Sequence, residues 1–320
     1  MRVARALIFG ALIVLLFFEI LVGFPIKLEW GGDSTDLKEE SFSQSNEAEK
    51  KMEGVHLVES RSGNRDWELF AEKAEEHQGK SEWELQNVKI LFYKEDSVQF
   101  TVVGKTGKID TKTKDLLVAG DVVTKSNNGY QFQTNSINYD SKKRVLESHD
   151  KVKMSGPSDG KKKGLLVEGG MMVTQVDDHL MTIKNDVRAQ RSLSNGKNVI
   201  IRSGEAQFSN VSNSAKFLER VSVELDSMKM EGPAAEFFYQ PGADLLQSIN
   251  MHGGVRMSDF DKFATSDSVK FDPSDNKFTL TGKPRVVQNS DEIMGDQIIF
   301  LDGGKKVKVE KMRARVEKSE

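Results

Sequence analysis

The sequence predicts an all-β protein: an N-terminal single transmembrane helix, then a stack of antiparallel hairpins. Three observations predict it. An apolar run of helical-span length stands near the N-terminus. One hairpin pattern recurs about eight times between residues 61 and 310. No stretch past residue 60 holds an extended 3.6-residue apolar period, so helices should be rare there.

The apolar run comes first in the chain. Residues 6–26 are broken only by Glu19, and 21 residues at helical rise span about 31 Å, close to the hydrocarbon core of a bilayer. Arg2 and Arg5 precede the run, while Glu29, Asp33, Asp36, Glu39 and Glu40 follow it. The positive-inside rule then puts residues 1–5 in the cytoplasm and the remainder across the membrane. A cleaved signal peptide would have a shorter apolar core and a small-x-small site, which "FEILVGFPIKLEW" does not offer. Residues 27–60 are acidic and rich in Ser, Glu and Lys, and read as a tether.

The repeat follows. Its core is apolar, any, small, any, any, apolar, as in Phe132/Thr134/Ile137 with Tyr139 two further on. The same frame fits Leu69/Ala71/Ala74, Val167/Gly169/Met172, Ile201/Ser203/Ala206/Phe208 and Met230/Gly232/Ala235/Phe237. It fits Ala264/Ser266/Val269/Phe271 and Ile293/Gly295/Ile298/Phe300, and more weakly Gly104/Thr106/Ile109. The small positions 71, 106, 134, 169, 203, 232, 266 and 295 are separated by 35, 28, 35, 34, 29, 34 and 29 residues. Each copy turns through Asp, Gly, Asn, Pro or Lys and returns with period-two alternation. The phase change at the small residue is what a bulge or strand corner requires. A hairpin with one apolar stripe must be covered, and stacking successive hairpins covers it. The expected body is a narrow sandwich or half-open roll, and residues 156–164 are either a seam dividing 61–160 from 161–320 or a long loop in one continuous stack.

The composition excludes several functions. Net charge is −3, which gives no argument for nucleic acid as a partner. There is no cysteine, so no disulfide or thiolate chemistry is possible. His56, His77, His149, His179 and His252 share no metal-ligand spacing, and no catalytic triad or phosphate loop can be nominated. The expectation is no enzyme, no metal and no cofactor. What repeats is a surface. An apolar trough lined by Leu69, Phe100, Phe132, Ile137, Tyr139, Phe208, Phe237, Val269, Phe271, Ile298 and Phe300 would shelter lipid chains. The alternative is a structural envelope solenoid or adaptor with a dry interior. A carbohydrate-active solenoid would need acids recurring on one face, and none do. The last segment alternates Val307, Val309, Met312 and Val316 with charges, and reads as a terminal strand able to dock a partner strand.

Particular motifs carry a resemblance. These are Trp67, Leu69 and Ala71; Val88, Ile90, Phe92 and Tyr93; Asp110, Thr113, Leu116, Gly120 and Val122; and the run Asn128 to Asp140. With the anchor and tether before them, they resemble the LptC family of lipopolysaccharide export over about residues 1–156. Residues 165–310 resemble the related LptA/OstA repeat, as in "GDQIIF" at 295–300. The resemblance implies an elongated β-jellyroll, or β-taco, whose interior holds acyl chains. It also implies lipopolysaccharide or a similar glycolipid as cargo, an inner-membrane ABC transporter as partner, and edge-strand pairing with other jellyroll bridge proteins.

Overall fold

A computed structural model of the chain describes residues 50–76, 81–157, 164–178, 180–192, 196, 198–209, 212–240, 246–260, 262–289, 291–302, 306–311 and, for backbone alone, 313–315. The expected cytoplasmic tail, transmembrane helix and first part of the tether (1–49), and Met312 and Val316, lie outside the described residues. No helix among the described residues is long and apolar enough to cross a membrane. Residues from Asn46 onward form one compact unit.

The described residues form 22 strands in a single sheet whose neighbours are all antiparallel. In chain order they begin with β1 (Lys50–Arg61), β2 (Asn64–Glu76), β3 (Glu82–Lys94), β4 (Ser97–Asp110), β5 (Leu116–Ser126) and β6 (Gln131–Asp140). Then come β7 (Val145–Ser148), β8 (Val152–Ser155), β9 (Leu166–Gly169), β10 (Met171–Gln175), β11 (Leu180–Ser192) and β12 (Asn198–Ser209). They continue as β13 (Ser214–Leu225), β14 (Met228–Tyr239), β15 (Leu246–Asp259), β16 (Lys262–Asp272), β17 (Lys277–Thr281) and β18 (Arg285–Gln288). The last are β19 (Asp291–Met294), β20 (Gln297–Leu301), β21 (Lys306–Glu310) and β22 (Arg313–Arg315). The topology is a meander of long rungs, each bent once. Where the bend breaks the strand, one rung is made of two short strands: β7 with β8, β9 with β10, β17 with β18, β19 with β20, and β21 with β22. Each half pairs with the matching half of the next rung, as β7 with β10 and β8 with β9.

The expected tether ends eleven residues early. Residues 50–60 are strand, because β1 pairs with β2 from Lys50↔Glu76 to Arg61↔Asn64 and puts Val55 opposite Ala71 and Leu57 opposite Leu69. Nor does the sheet stop at the expected seam. Val152, Lys153, Met154 and Ser155 pair with Gly169, Glu168, Val167 and Leu166, so the ladder runs straight through it.

The bends follow two rules. On β6, β12 and β16 the buried face steps by three residues at the small position: Thr134 to Ile137, Ser203 to Ala206, Ser266 to Val269. A hydroxyl there ties the bend, with Ser203 Oγ donating to Glu205 O at 2.9 Å and Ser266 Oγ to Ser268 O at 3.0 Å. Thr134 instead pairs its hydroxyl with that of buried Ser148 at 2.7 Å. On β4 the buried series is Val102, Gly104, Gly107, Ile109, and Thr106 is exposed. The weak copy is therefore framed two residues earlier than its sequence suggests, with Gly104 as its small residue.

The returning rungs β5, β11, β13 and β15 bend differently. Their buried face steps by four, from Val118 to Val122, Ile183 to Val187, Phe217 to Val221 and Met251 to Val255. The intervening pairs Gly120–Asp121, Asn185–Asp186, Glu219–Arg220 and Gly253–Gly254 have positive φ. A step of four preserves period two, which is why these corners leave no mark on the alternation.

At the small positions of the first rule, space decides. A Cβ on Gly169 would lie 2.4 Å from Ile183 Cγ2 and 3.0 Å from Lys184 O. Gly169→Ala is expected to destabilise the chain by about 1–3 kcal/mol, read from denaturant unfolding of the full protein, since a backbone carbonyl cannot yield as a side-chain tip can. An unchanged midpoint would show that the corner relaxes freely.

The turns use the expected chemistry. Asp110 Oδ1 accepts from Lys112 N at 2.7 Å and Thr113 N at 3.0 Å, and Asp140 Oδ1 accepts from Lys143 N at 2.9 Å. Backbone donation from Thr113 and Lys112 holds the Asp110 carboxyl below its ordinary range, and the Lys143 ammonium does the same for Asp140. With folded values depressed, what these caps contribute is present above the ordinary carboxyl range and lost as pH falls through the lowered values.

Candidate lipid-binding interior and its mouth

Because every rung bends at its middle, the sheet is folded along the corner line into two arms. Their apolar faces meet in one continuous core running from Val55 on β1 to Phe300 on β20. Cross-strand neighbours alternate large and small, as with Phe217 between Ala206 and Ala235. Aromatic contacts link neighbouring rungs: Phe217 meets Phe237 edge to face at 5.1 Å, and Phe271 stacks on Phe278 at 4.4 Å. They also link the arms, with Phe92 of β3 against Tyr139 of β6 at 4.7 Å.

The nominated lining residues fall into two groups. Leu69, Ile137, Tyr139, Phe237, Val269, Phe271, Ile298 and Phe300 are buried in the packed interior. Phe132 is buried too, yet with partly buried Phe100 and Phe208 it lines a cavity of about 620 Å³. This cavity lies where the free ends of the arms face each other. One wall comes from the outer ends of β4, β5 and β6, the other from the opposite ends of β11 to β14. Leu165 and Met181 complete an apolar floor, and Gln99, Asn127, Asn128, Asn213, Tyr130 and Tyr239 form an amide and hydroxyl rim. Asn127 Nδ2 donates to Gln99 Oε1 at 3.0 Å, which fixes part of that rim. Arg191 lies over the Tyr239 ring at 5.1 Å. Sequence reasoning missed Tyr130, Leu165, Met181 and Tyr239. They stand at strand ends, outside the repeat frame, and only the facing of distant rungs brings them together.

Nearer β1 the mouth is closed by charge. Asp66 of β2, with its side chain 1% exposed, is held by Arg144 from the turn after β6 and by Arg61 Nε at 3.5 Å. Arg144 Nε also donates to Asp177 Oδ1 at 2.8 Å. Arg61 donates to the carbonyl of Ser141, whose own N–H donates to Asp115 Oδ1 at 2.8 Å. Lys94 Nζ reaches Asp177 O at 3.2 Å. The Asp66–Arg144, Arg61–Ser141 and Lys94–Asp177 contacts join the outer end of β1–β3 to turns on the other arm. None of these crossing pairs has a sequence signature, since the partners are far apart along the chain.

At the ends of the sheet the interior is uncovered. Met52, opposite buried Ala74, is 42% exposed, and Val307, opposite Phe300, is 45% exposed. Val309 is partly buried against the core. Among the described residues β1 pairs only with β2, and β21 only with β20, so both edge strands have an open side. No group of three or more metal-ligating side chains occurs among the described residues.

The family described as "Lipopolysaccharide-assembly, LptC-related" matches residues 12–192, more than half of the chain. A second family, "LptA/(LptD N-terminal domain) LPS transport protein", matches residues 200–302. The two matches meet at the β11–β12 hairpin. Comparison with curated proteins gives no match. Among solved structures, LptH, the LptA homologous periplasmic component of the lipopolysaccharide transport device from Pseudomonas aeruginosa, is 12% identical. That likeness covers 38% of this chain and 95% of LptH, with a TM-score of 0.34.

Proposed function

Since the chain belongs to the LptC-related lipopolysaccharide-assembly family and continues into an LptA-like region, we propose that it is a membrane-anchored periplasmic carrier in export of lipopolysaccharide or a related glycolipid. Acyl chains pass along the folded sheet's apolar interior, from an inner-membrane ABC transporter toward the outer membrane. One observation carries this reading. The apolar core is unbroken from Val55 to Phe300, through both family-matched regions, and is uncovered at both ends. Each sheltered methylene contributes about 0.8 kcal/mol, so a long apolar channel retains an amphiphile without any specific contact. The residues of the channel supply no energy source, which a partner must provide. The open sides of β1 and β21 suit edge pairing with jellyroll partners at the two ends, with Val307 and Val309 on the C-terminal docking edge, and residues 6–26 supply the anchor.

The alternative, a structural adaptor that binds no lipid, draws on the filled packing around Phe271 and Phe237. Photo-crosslinking in cells separates the two. A photoreactive residue at Phe132, Ile137, Phe271 or Phe300 is expected to capture glycolipid, and one at exposed Lys142 is not. Adducts on both sides of residue 160 would support one path. Protein adducts at Val307 and Val309 with no lipid adduct anywhere would replace the carrier with the adaptor.

A further inference from the structure

Beneath the charged closure near β1, the interior holds hydrogen-bonding groups that the fold does not use. Trp67 of β2 is buried and stands opposite Phe92 of β3. Phe92 in turn meets Tyr139 of the other arm edge to face. These three aromatic side chains form one layer between the arms. Neither Trp67 Nε1 nor the Tyr139 hydroxyl has a hydrogen-bond partner among the described residues. An indole N–H only donates. Burial pushes the Tyr139 hydroxyl above its ordinary range, partly opposed by Arg61, so it stays protonated and donates as well.

The neighbouring charges do not serve these donors. Asp66, Arg61, Arg144, Asp177 and Ser141 are engaged with one another. A buried donor left unmatched costs about 1–3 kcal/mol, and phenylalanine would fill nearly the same space as Tyr139 without that cost. The buried hydroxyls of Thr134, Ser148, Ser203 and Ser266 all have partners, so two unmatched donors in one layer point to an acceptor that comes and goes.

We propose that Trp67 and Tyr139 form an oxygen-binding station inside the channel, taking the carbonyl of an acyl ester or amide linkage as the lipid passes. The station rests on the reading of the interior as a lipid path. It gives that path a point of recognition for the linkage itself, where the apolar side chains of the wall shelter only methylenes. Phe92, packed against both, is a positioning residue.

The test compares two probes on the full chain in detergent micelles: a diacyl glycerolipid with ester linkages and its diether counterpart of equal chain length, which lacks the carbonyls. The wild type is expected to retain the ester lipid roughly five- to tenfold better, the scale of one good hydrogen bond. Tyr139→Phe should remove most of that preference and leave the unfolding midpoint unchanged or raised, because an unmatched polar atom is removed. Equal retention of both probes by the wild type would overturn the station and leave the carrier reading intact. Retention of neither would overturn both. A Tyr139→Phe chain with a lowered midpoint and its preference intact would assign the hydroxyl to a buried water, and the station would fall.

Discussion

Arg144→Met is expected to lower the unfolding free energy of the full chain by about 3–5 kcal/mol, one of the two largest single-site losses foreseen. The reason is its partner. Asp66 is almost wholly buried, and Arg144 is its principal counter-ion. Removing the guanidinium leaves a carboxylate in apolar surroundings with only Arg61 at 3.5 Å to answer it. The loss should fall toward the lower end because that second cation remains. It should also depend little on salt, since a buried pair is poorly screened. The double variant Asp66→Leu/Arg144→Met should recover most of the loss, because replacing both partners removes the stranded charge. Denaturant unfolding gives the total. Amide exchange locates it, and the β1–β2 turn and the turn at 141–144 should lose protection before the rungs beyond β11, as expected where each rung contacts mainly its neighbours. A double variant no more stable than Arg144→Met would show that the pair itself, rather than the stranded charge, sets the closure.

Phe217→Ala should cost a similar amount, about 3–5 kcal/mol, by a different cause. Phe217 is fully buried on β13, edge to face with Phe237 at 5.1 Å and Phe208 at 6.1 Å. Its cross-strand neighbours Ala206 and Ala235 are too short to refill the space. The cavity would persist, and with it the full penalty. Phe208→Ala is the informative contrast. Phe208 is only partly buried and already borders the mouth cavity, so its truncation creates little new void. A loss under half that of Phe217→Ala is expected, together with fewer lipid adducts at Phe132 across the cavity. Equal stability losses would place Phe208 in the core and remove it from the mouth.

Much of the architecture was legible in the sequence because the fold is periodic. Phe132, Thr134, Ile137 and Tyr139 announce a strand whose inward face changes phase at Thr134, and the same rule recurs on β12 and β16. Where a corner keeps the phase, as at Asn185–Asp186 or Glu219–Arg220, alternation is silent. Residues such as Glu219 and Arg220 do not advertise a left-handed backbone. The tether boundary was misplaced for a related reason. β1 is an edge strand facing solvent along most of its length, so its Lys and Glu residues look like linker until Val55 and Leu57 are set against β2.

By itself, the sequence determined the all-β class, the repeat, the apolar inward face and the family of this protein, since strand alternation and turn chemistry are local and survive any arrangement of the rungs. Only the tertiary structure decided that the two arms face each other with an offset of several rungs. It decided that Asp66 and Arg144 close the mouth near β1, that the mouth opens between Phe132 and Phe208, and that Trp67 and Tyr139 share a layer. Those are meetings between residues tens of positions apart. They are set by how a twisted sheet folds back on itself, and no spacing along the chain encodes them.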